Sequence, residues 1–505
     1  MGNIVVVNAI ALTRYAFENV YKEMSALELS VKFGETLSDV EKIFIFTVPY
    51  LRSSIEKKIK TRALPVEYRE RETWDLKLLI QEMGECSRNR ENIFYFYGDC
   101  PLLEESITSR MYRNHLRYFA QYTFADGYPY GLTPEILNVS ILSSLEKLVS
   151  GGEEPVERNS IFSVIQKDIN SFDLETEISP ADTRLLRVSL TCDTQRNYIQ
   201  TGRIISEGGV NETAILDIIL NRQELLRTLP AYVAVQIIDG CLQSCSYCPF
   251  PLFGGDILNQ RNLMSLKEFA EILKKVEEFA DDAVLALSLW GEPALHSQIA
   301  ELLEETVKHK KIYPLVETSG IGWNKDTLKR ISENVGNVVQ WIVSLDAHER
   351  NLYKELRGEG MEEALHTCDI LFSLFPGRVH VQAVRMKYNE ENLETFFREW
   401  KKRTPNVIIQ KYDHFCNFLP QRKVTDLSPV KRHPCWHLKR DLVILLDGTV
   451  PLCREDIKRN YILGNIFEQE LSEIWQEGER YYLEQLKGIY NPLCEKCDEY
   501  YTFNF

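Results

Sequence analysis

Three cysteines share one short segment, Cys241, Cys245 and Cys248, in a C-x3-C-x2-C loop. Three soft thiolates on such a loop can hold three irons of a cubane 4Fe-4S cluster and leave the fourth open to an external ligand, which clusters closed by four cysteines do not. Zinc is the plain alternative, but structural zinc sites usually close with a fourth Cys or His, and none lies nearby in sequence. A second set, Cys435, Cys453, Cys494 and Cys497, runs C-x12-G-x4-C, a gap, then C-x2-C, with Gly448 as the intervening glycine. Four thiolates either close a 4Fe-4S cluster or hold zinc, and spacing alone permits both. Of the remaining cysteines, Cys86, Cys100, Cys192 and Cys368 read as small buried hydrophobes. Cys416, in KYDHFCNF after a strand-like run, is placed to face a site as a hydrogen-atom or proton donor.

These residues need elements to position them. From 231 onward, strand-like and helical stretches alternate: AYVAVQII at 231, AVLALSLW at 283, IYPLVET at 312, VVQWIVSLD at 338, VHVQAVRM at 379 and NVIIQKYD at 406. Ser265 and Glu268 form a capping box ahead of Phe269, Ile272, Val276 and Phe279 at helical spacing. The pattern predicts a partial (β/α)6 barrel over 231–420, with chemistry at the C-terminal ends of the strands, where the cysteine loop falls. Residues 421–505 read as a small cysteine-rich domain in which Asp447 and Gly448 turn a hairpin within DLVILLDGTVPLC. Residues 1–205 also alternate strand and helix, an α/β pattern, and 206–230 read as a connecting helix.

The whole chain has 505 residues, 44% hydrophobic and 26% charged, which excludes disorder and coiled coil. Lys and Arg number 59 against 74 Asp and Glu, a net charge of -15, which argues against a nucleic-acid surface. No run is apolar enough to span a membrane and the start lacks the marks of a secretory peptide, so a cytoplasmic location is expected. Clustered cysteines in such a chain read as metal ligands rather than disulfides.

The cysteine loop with Tyr247 resembles the signature of the radical S-adenosylmethionine (radical SAM) superfamily, C-x3-C-x-aromatic-C after the first barrel strand. Three later segments agree with that resemblance. Gly291, Glu292 and Pro293 are similar to the family's GGE/GEP motif, with Trp290 in place of one glycine; Glu317, Thr318 and Ser319 resemble its ETNG-like turn; Ser344 and Asp346 resemble its polar residues near the SAM carboxylate and ribose. The tail, LVILLDGTVPLC, then LGNIFEQELSEIW and the C-x2-C, resembles the SPASM extension or its shortened twitch form. The resemblance implies a SAM-binding 4Fe-4S cluster on Cys241, Cys245 and Cys248, a 5′-deoxyadenosyl radical that abstracts hydrogen from a substrate, and one auxiliary 4Fe-4S cluster on the other four cysteines. It also implies a flavodoxin- or ferredoxin-type reductant and a small-molecule or peptide substrate, with a nucleotide-sugar or other small molecule favoured.

In the first third, GDCPL at 98–102, ADGYPYGLTPEIL at 125–137 and RLLRVSLTCDTQRNYI at 184–199 resemble cytidylyltransferases of the spore-coat-polysaccharide type. That resemblance implies a nucleotidyltransferase-like α/β domain in which Asp99 and Asp193 hold Mg. The Gly-rich phosphate loop of such enzymes is replaced by NAIALTRYAFENVYKEM, which predicts a degenerate site. The combination resembles spiro-SPASM proteins. Two other readings remain: a cytidylyltransferase with a regulatory C-terminal half, and a zinc-bound scaffold.

Overall fold

The computed structural model describes residues 2–60, 63–149, 154–253, 262–287 and 289–502; Ser288, within the strand-like run at 283, lies outside them. The chain divides into two compact units, Met1–Thr228 and Leu229–Phe505.

The first unit is built on a seven-stranded mixed sheet: β1 (Asn3–Ala9), β2 (Val40–Thr47), β3 (Val66–Glu70), β4 (Asn92–Tyr97), β5 (Tyr122–Asp126), β6 (Glu135–Asn138) and β7 (Leu174–Ile178), in spatial order β3-β2-β1-β4-β6-β5-β7. β1 pairs in parallel with β2 and β4, and all its residues are buried. Val5 and Val7 enter one apolar cluster and Ile4 and Val6 another, so the strand is covered on both faces, which its unbroken apolar run foreshadows. β3 (VEYRE), β6 (EILN) and β7 (LETEI) have only four or five residues each, with at most two or three apolar ones, too few to stand out in sequence. The segment expected to connect domains lies inside this unit. Its helix, Glu212–Asn221, buries Ile215, Ile218 and Ile219 in the cluster that holds Val5 and Val7. An amphipathic helix has to cover its apolar face, and here it does so locally.

The second unit is α/β and its main sheet is wholly parallel. Six strands follow the expected runs: β8 (Tyr232–Val235), β9 (Ala283–Leu287), β10 (Ile312–Thr318), β11 (Gln340–Ser344), β12 (Val379–Arg385) and β13 (Val407–Lys411). A seventh, β14 (Asp441–Ile444), comes from the tail and pairs in parallel with β8, giving the order β13-β12-β11-β10-β9-β8-β14. The expected hairpin is therefore corrected. Asp447 and Gly448 do turn the chain, with Thr449 carbonyl accepting from Leu445 N–H at 2.9 Å. The two arms then part: β14 joins the large sheet, while β15 (Thr449–Pro451) pairs antiparallel with β16 (Ile462–Asn465). An apolar run bounded by Asp-Gly specifies the turn, whereas the open edge of β8 decides the partner.

The helix Leu266–Ala280 begins at the capping box, with Ser265 Oγ accepting from Glu268 N–H at 3.2 Å, and buries Phe269, Ile272 and Val276 against the sheet. Ile444 is fully buried opposite Val235. Ile444→Ala is expected to destabilise the second unit by about 2–5 kcal/mol, read as a lower guanidinium midpoint for that unit with the first unit's transition unmoved.

Candidate active site

The cysteine loop leaves the C-terminal end of β8 and is tied down on three sides. Ser246 N–H donates to Leu356 O at 2.8 Å, Ser244 N–H to Arg357 O at 3.3 Å, and Gln243 Nε2 to Glu359 O at 2.7 Å. The Arg357 guanidinium, only 4% exposed, donates to Gln243 Oε1 at 3.1 Å, to the Tyr247 hydroxyl and to Asp346 Oδ2 at 2.5 Å. Tyr247 donates to the same Asp346 oxygen at 2.5 Å, and Val384 N–H donates to Asp346 Oδ1 at 2.6 Å. Asp346 thus spends its carboxylate inside the protein, joining the ends of β11 and β12 to the loop. Sequence reasoning did not find Arg357. Its signal is weak: an arginine ahead of Gly358 and Gly360, which both take positive φ, 99° and 105°.

The segments after β9 and β10 lock together through Glu292. Its Oε1 accepts from Thr318 Oγ1 and from Ala294 N–H at 3.2 Å; its Oε2 accepts from Ser319 N–H at 2.8 Å and Ser319 Oγ at 2.7 Å. Burial raises its pKa even so. Pro293 opens a single 3-10 turn behind it. A Cβ on Gly291 would meet Ile238 O at 2.2 Å, so the glycine lets this strand end press against the cysteine loop. Trp290, standing where a glycine was expected, adopts φ of 49°, in the left-handed region that favours glycine. Glu317 faces the cavity, its pKa raised by burial and lowered by Arg454, and Ser344 accepts from Gln382 Nε2 at 3.4 Å.

All three loop thiols have raised pKa values, Cys241 up to about 12, chiefly because burial penalises the thiolate. Arg357 opposes this at Cys245. Thiols so buried, with one guanidinium nearby, become thiolates only when a metal supplies the missing positive charge, and Cys241 Sγ already accepts from Gln243 N–H at 3.4 Å. This donor set fits an iron-sulfur cluster.

Cys435, Cys453, Cys494 and Cys497 lie near enough for charge on one to raise the pKa of another: Cys494 and Cys497 act on Cys435 and Cys453, and Cys497 acts on Cys494. Four such thiols fit a closed 4Fe-4S cubane, which takes one ligand at each iron. The acidic trio Asp413, Asp498 and Glu499 is already ion-paired within the chain: Lys411 with Asp498 and Glu499, Lys423 with Asp498, and Arg454 with Asp413.

Cys416 is corrected. It is absent from the lining of the cavity that Phe415 and Asp413 share with Cys241; it lies instead against Cys497, donating to that sulfur, which holds Cys416 high and Cys497 low. Phe415, Cys416 and Asn417 all take positive φ, 48°, 53° and 68°, and this left-handed run carries the thiol to the second cysteine set. Cys86, Cys100, Cys192 and Cys368 are buried as expected.

One cavity of about 240 Å³ joins both cysteine sets, with Cys241 and Cys248 lining it together with Cys453, and Glu317, Gln382, Lys411, His437 and Arg454 supplying polar groups.

A model of the radical SAM superfamily matches residues 235–399. The chain carries a radical SAM superfamily domain over these residues. The model of the SPASM iron-sulfur cluster-binding domain matches residues 435–498. This radical SAM chain is an enzyme, and its cofactors are 4Fe-4S clusters and SAM. An uncharacterized protein of Treponema pallidum (strain Nichols) is 37% identical over 358 residues, 68% of this chain and 98% of that protein. The structure of Streptococcus suis SuiB bound to precursor peptide SuiA is similar at 14% identity and TM-score 0.42, covering 67% of this chain and 78% of SuiB. A cytidylyltransferase from Leptospira borgpetersenii serovar Hardjo-bovis is similar at 18% identity and TM-score 0.37, covering 44% of this chain and 95% of the other. Among the described residues no helix is long and apolar enough to cross a membrane.

In the first unit Asp99 and Asp193 do meet, but the Mg expectation is corrected. Arg158 Nη1 donates to Asp99 Oδ1 at 3.0 Å, and Nη2 to Asp99 Oδ2 and to Asp193 Oδ2 at 3.1 Å. Asp193 Oδ1 accepts from Thr191 Oγ1 at 2.7 Å and Asn197 Nδ2 at 2.8 Å. An internal guanidinium stands where a divalent ion would have to bind, so these residues do not fit Mg.

Two outcomes are expected. Arg357→Gln strands the Asp346 charge and unfastens the loop, so iron bound after reconstitution should fall from about eight to about four per chain, measured by iron assay. Arg158→Ala leaves two carboxylates unpaired and should destabilise the first unit by about 3–5 kcal/mol, measured by denaturant titration.

Proposed function

We propose that the second unit cleaves SAM reductively and abstracts hydrogen from a small polar molecule held between the two cysteine sets, with a one-electron protein donor as its reductant. The observation that carries this reading is the single cavity lined by Cys241 and Cys248 and also by Cys453. When bound, the cluster on Cys241, Cys245 and Cys248 supplies the electron that converts SAM to methionine and a 5′-deoxyadenosyl radical.

The chain's own residues do the positioning. Tyr247, Asp346 and Arg357 hold the cysteine loop to the ends of β11 and β12. Gly291 offers backbone close to the loop, Glu292 fixes Thr318 and Ser319, and Glu317 and Ser344 face the space where SAM would lie. Cys435, Cys453, Cys494 and Cys497 hold an auxiliary 4Fe-4S cluster, placed to take or relay an electron from the substrate. The lining groups Lys411, His437, Asp441 and Arg454 suit a substrate rich in hydroxyl or charged groups. These features favour a small molecule over a peptide. A cytidylyltransferase reading is disfavoured by Arg158 between Asp99 and Asp193.

After anaerobic reconstitution the wild-type chain is expected to hold about eight irons and to form 5′-deoxyadenosine with dithionite and SAM. Cys245→Ala should lose about four irons and all 5′-deoxyadenosine; full SAM cleavage by that variant would refute the assignment. Cys453→Ala should also lose about four irons while keeping 5′-deoxyadenosine formation, and zinc in place of those irons in wild-type protein would defeat the auxiliary-cluster reading.

A further inference from the structure

The first unit contains a second cavity, of about 160 Å³, whose lining includes Tyr95, Tyr97, Tyr122, Phe124, Phe162 and Glu135. The rings form two groups: Phe124 and Phe162 with centroids 4.8 Å apart beside Tyr122, and Tyr95 with Tyr97 at 5.7 Å. Two of the hydroxyls are already committed. Tyr95 accepts from Asn8 Nδ2 at 2.7 Å and donates to Tyr97 at 3.3 Å, and Tyr97 donates to Glu157 O at 2.8 Å.

Glu135, at the start of β6 and directly across from Tyr95 on β4, has one partner, the Tyr122 hydroxyl. Its Oε2 is buried with no hydrogen-bond partner, and burial pushes its pKa up to about 8. No lysine, arginine or histidine is among the described residues lining the cavity. The nearest guanidinium, Arg158, lies over the Tyr97 and Tyr130 rings at 4.8 and 5.4 Å and is already shared between Asp99 and Asp193. The cation of this neighbourhood is therefore committed to two other carboxylates, and Glu135 faces the cavity without one.

We propose that this cavity binds an organic ammonium group, held against the aromatic faces with Glu135 as its counter-ion. A cation over such rings gains about 0.5–2 kcal/mol, and its charge stabilises the Glu135 carboxylate that burial disfavours. A neutral ligand would bring no charge to offset that burial, and an anion would be repelled. A hydrated divalent ion would have to trade its water for rings that offer it one carboxylate. The site lies wholly within the first unit and is independent of the SAM chemistry of the second.

Isothermal titration calorimetry of the full chain tests it, with tetramethylammonium as the probe and 2,2-dimethyl-1-propanol, a neutral molecule of similar size, as the control. Saturable binding of one tetramethylammonium per chain, no binding of the alcohol, and at least about a tenfold loss of affinity in Glu135→Gln are expected. The thermal midpoint of that variant should not fall, because it removes a buried acid whose Oε2 has no partner. Tyr122→Phe, which keeps the ring, should retain binding. Absence of saturable binding, equal affinity in Glu135→Gln, equal binding of the alcohol, or displacement of the ammonium by magnesium would each overturn the proposal.

Discussion

The buried pair of Asp346 and Arg357 is the constraint on which the second unit's site depends. Both side chains are almost wholly removed from water, at 0% and 4% exposed, where an unpaired charge is costly and a paired one demands close geometry. The aspartate takes donors from Tyr247 on the cysteine loop, from Arg357 at the end of the helix Arg350–Arg357, and from the backbone of Val384 on β12. One carboxylate thereby sets three elements from distant parts of the chain in a fixed relation. The loop that carries Cys241, Cys245 and Cys248 is held by this network before any metal arrives.

A second buried carboxylate repeats the device at the neighbouring strand ends. Glu292 accepts four hydrogen bonds, three of them from Thr318 and Ser319, so the segments after β9 and β10 move as one piece. Gly291 can then approach Ile238 to a distance no side chain would tolerate. Charge completes the picture. The thiols are pushed toward the neutral form by burial, and positive charge from bound iron is what would hold them ionised.

The first unit resolves its own acidic pair in the opposite manner. Asp99 and Asp193 converge at strand ends, where a metal could have been held, and Arg158 bridges them instead. A guanidinium donates in a planar fork, suited to bridging two carboxylates, and it takes the oxygens that a divalent ion would need. Positive charge in this unit comes from the chain itself, whereas in the second unit it has to come from cofactor.

The cysteine spacing, the Gly-Glu-Pro and Glu-Thr-Ser segments and the alternating apolar runs were legible in sequence, because ligand chemistry and strand burial leave local patterns. They were enough to establish the radical SAM class and the six strands β8 to β13. What the sequence could not show depends on pairing between distant residues. Arg357 has no motif of its own, and its role exists only where Asp346 and Tyr247 meet it. β14 reads as half of a hairpin until the free edge of β8 claims it. Cys416 changes sites because three consecutive residues take positive φ. Arg158 lies 59 residues from Asp99 and 35 from Asp193, so its occupation of the acidic site is decided by the fold alone. Local composition determines which chemistry the chain can support, and long-range electrostatics and strand pairing determine which residues are free to perform it.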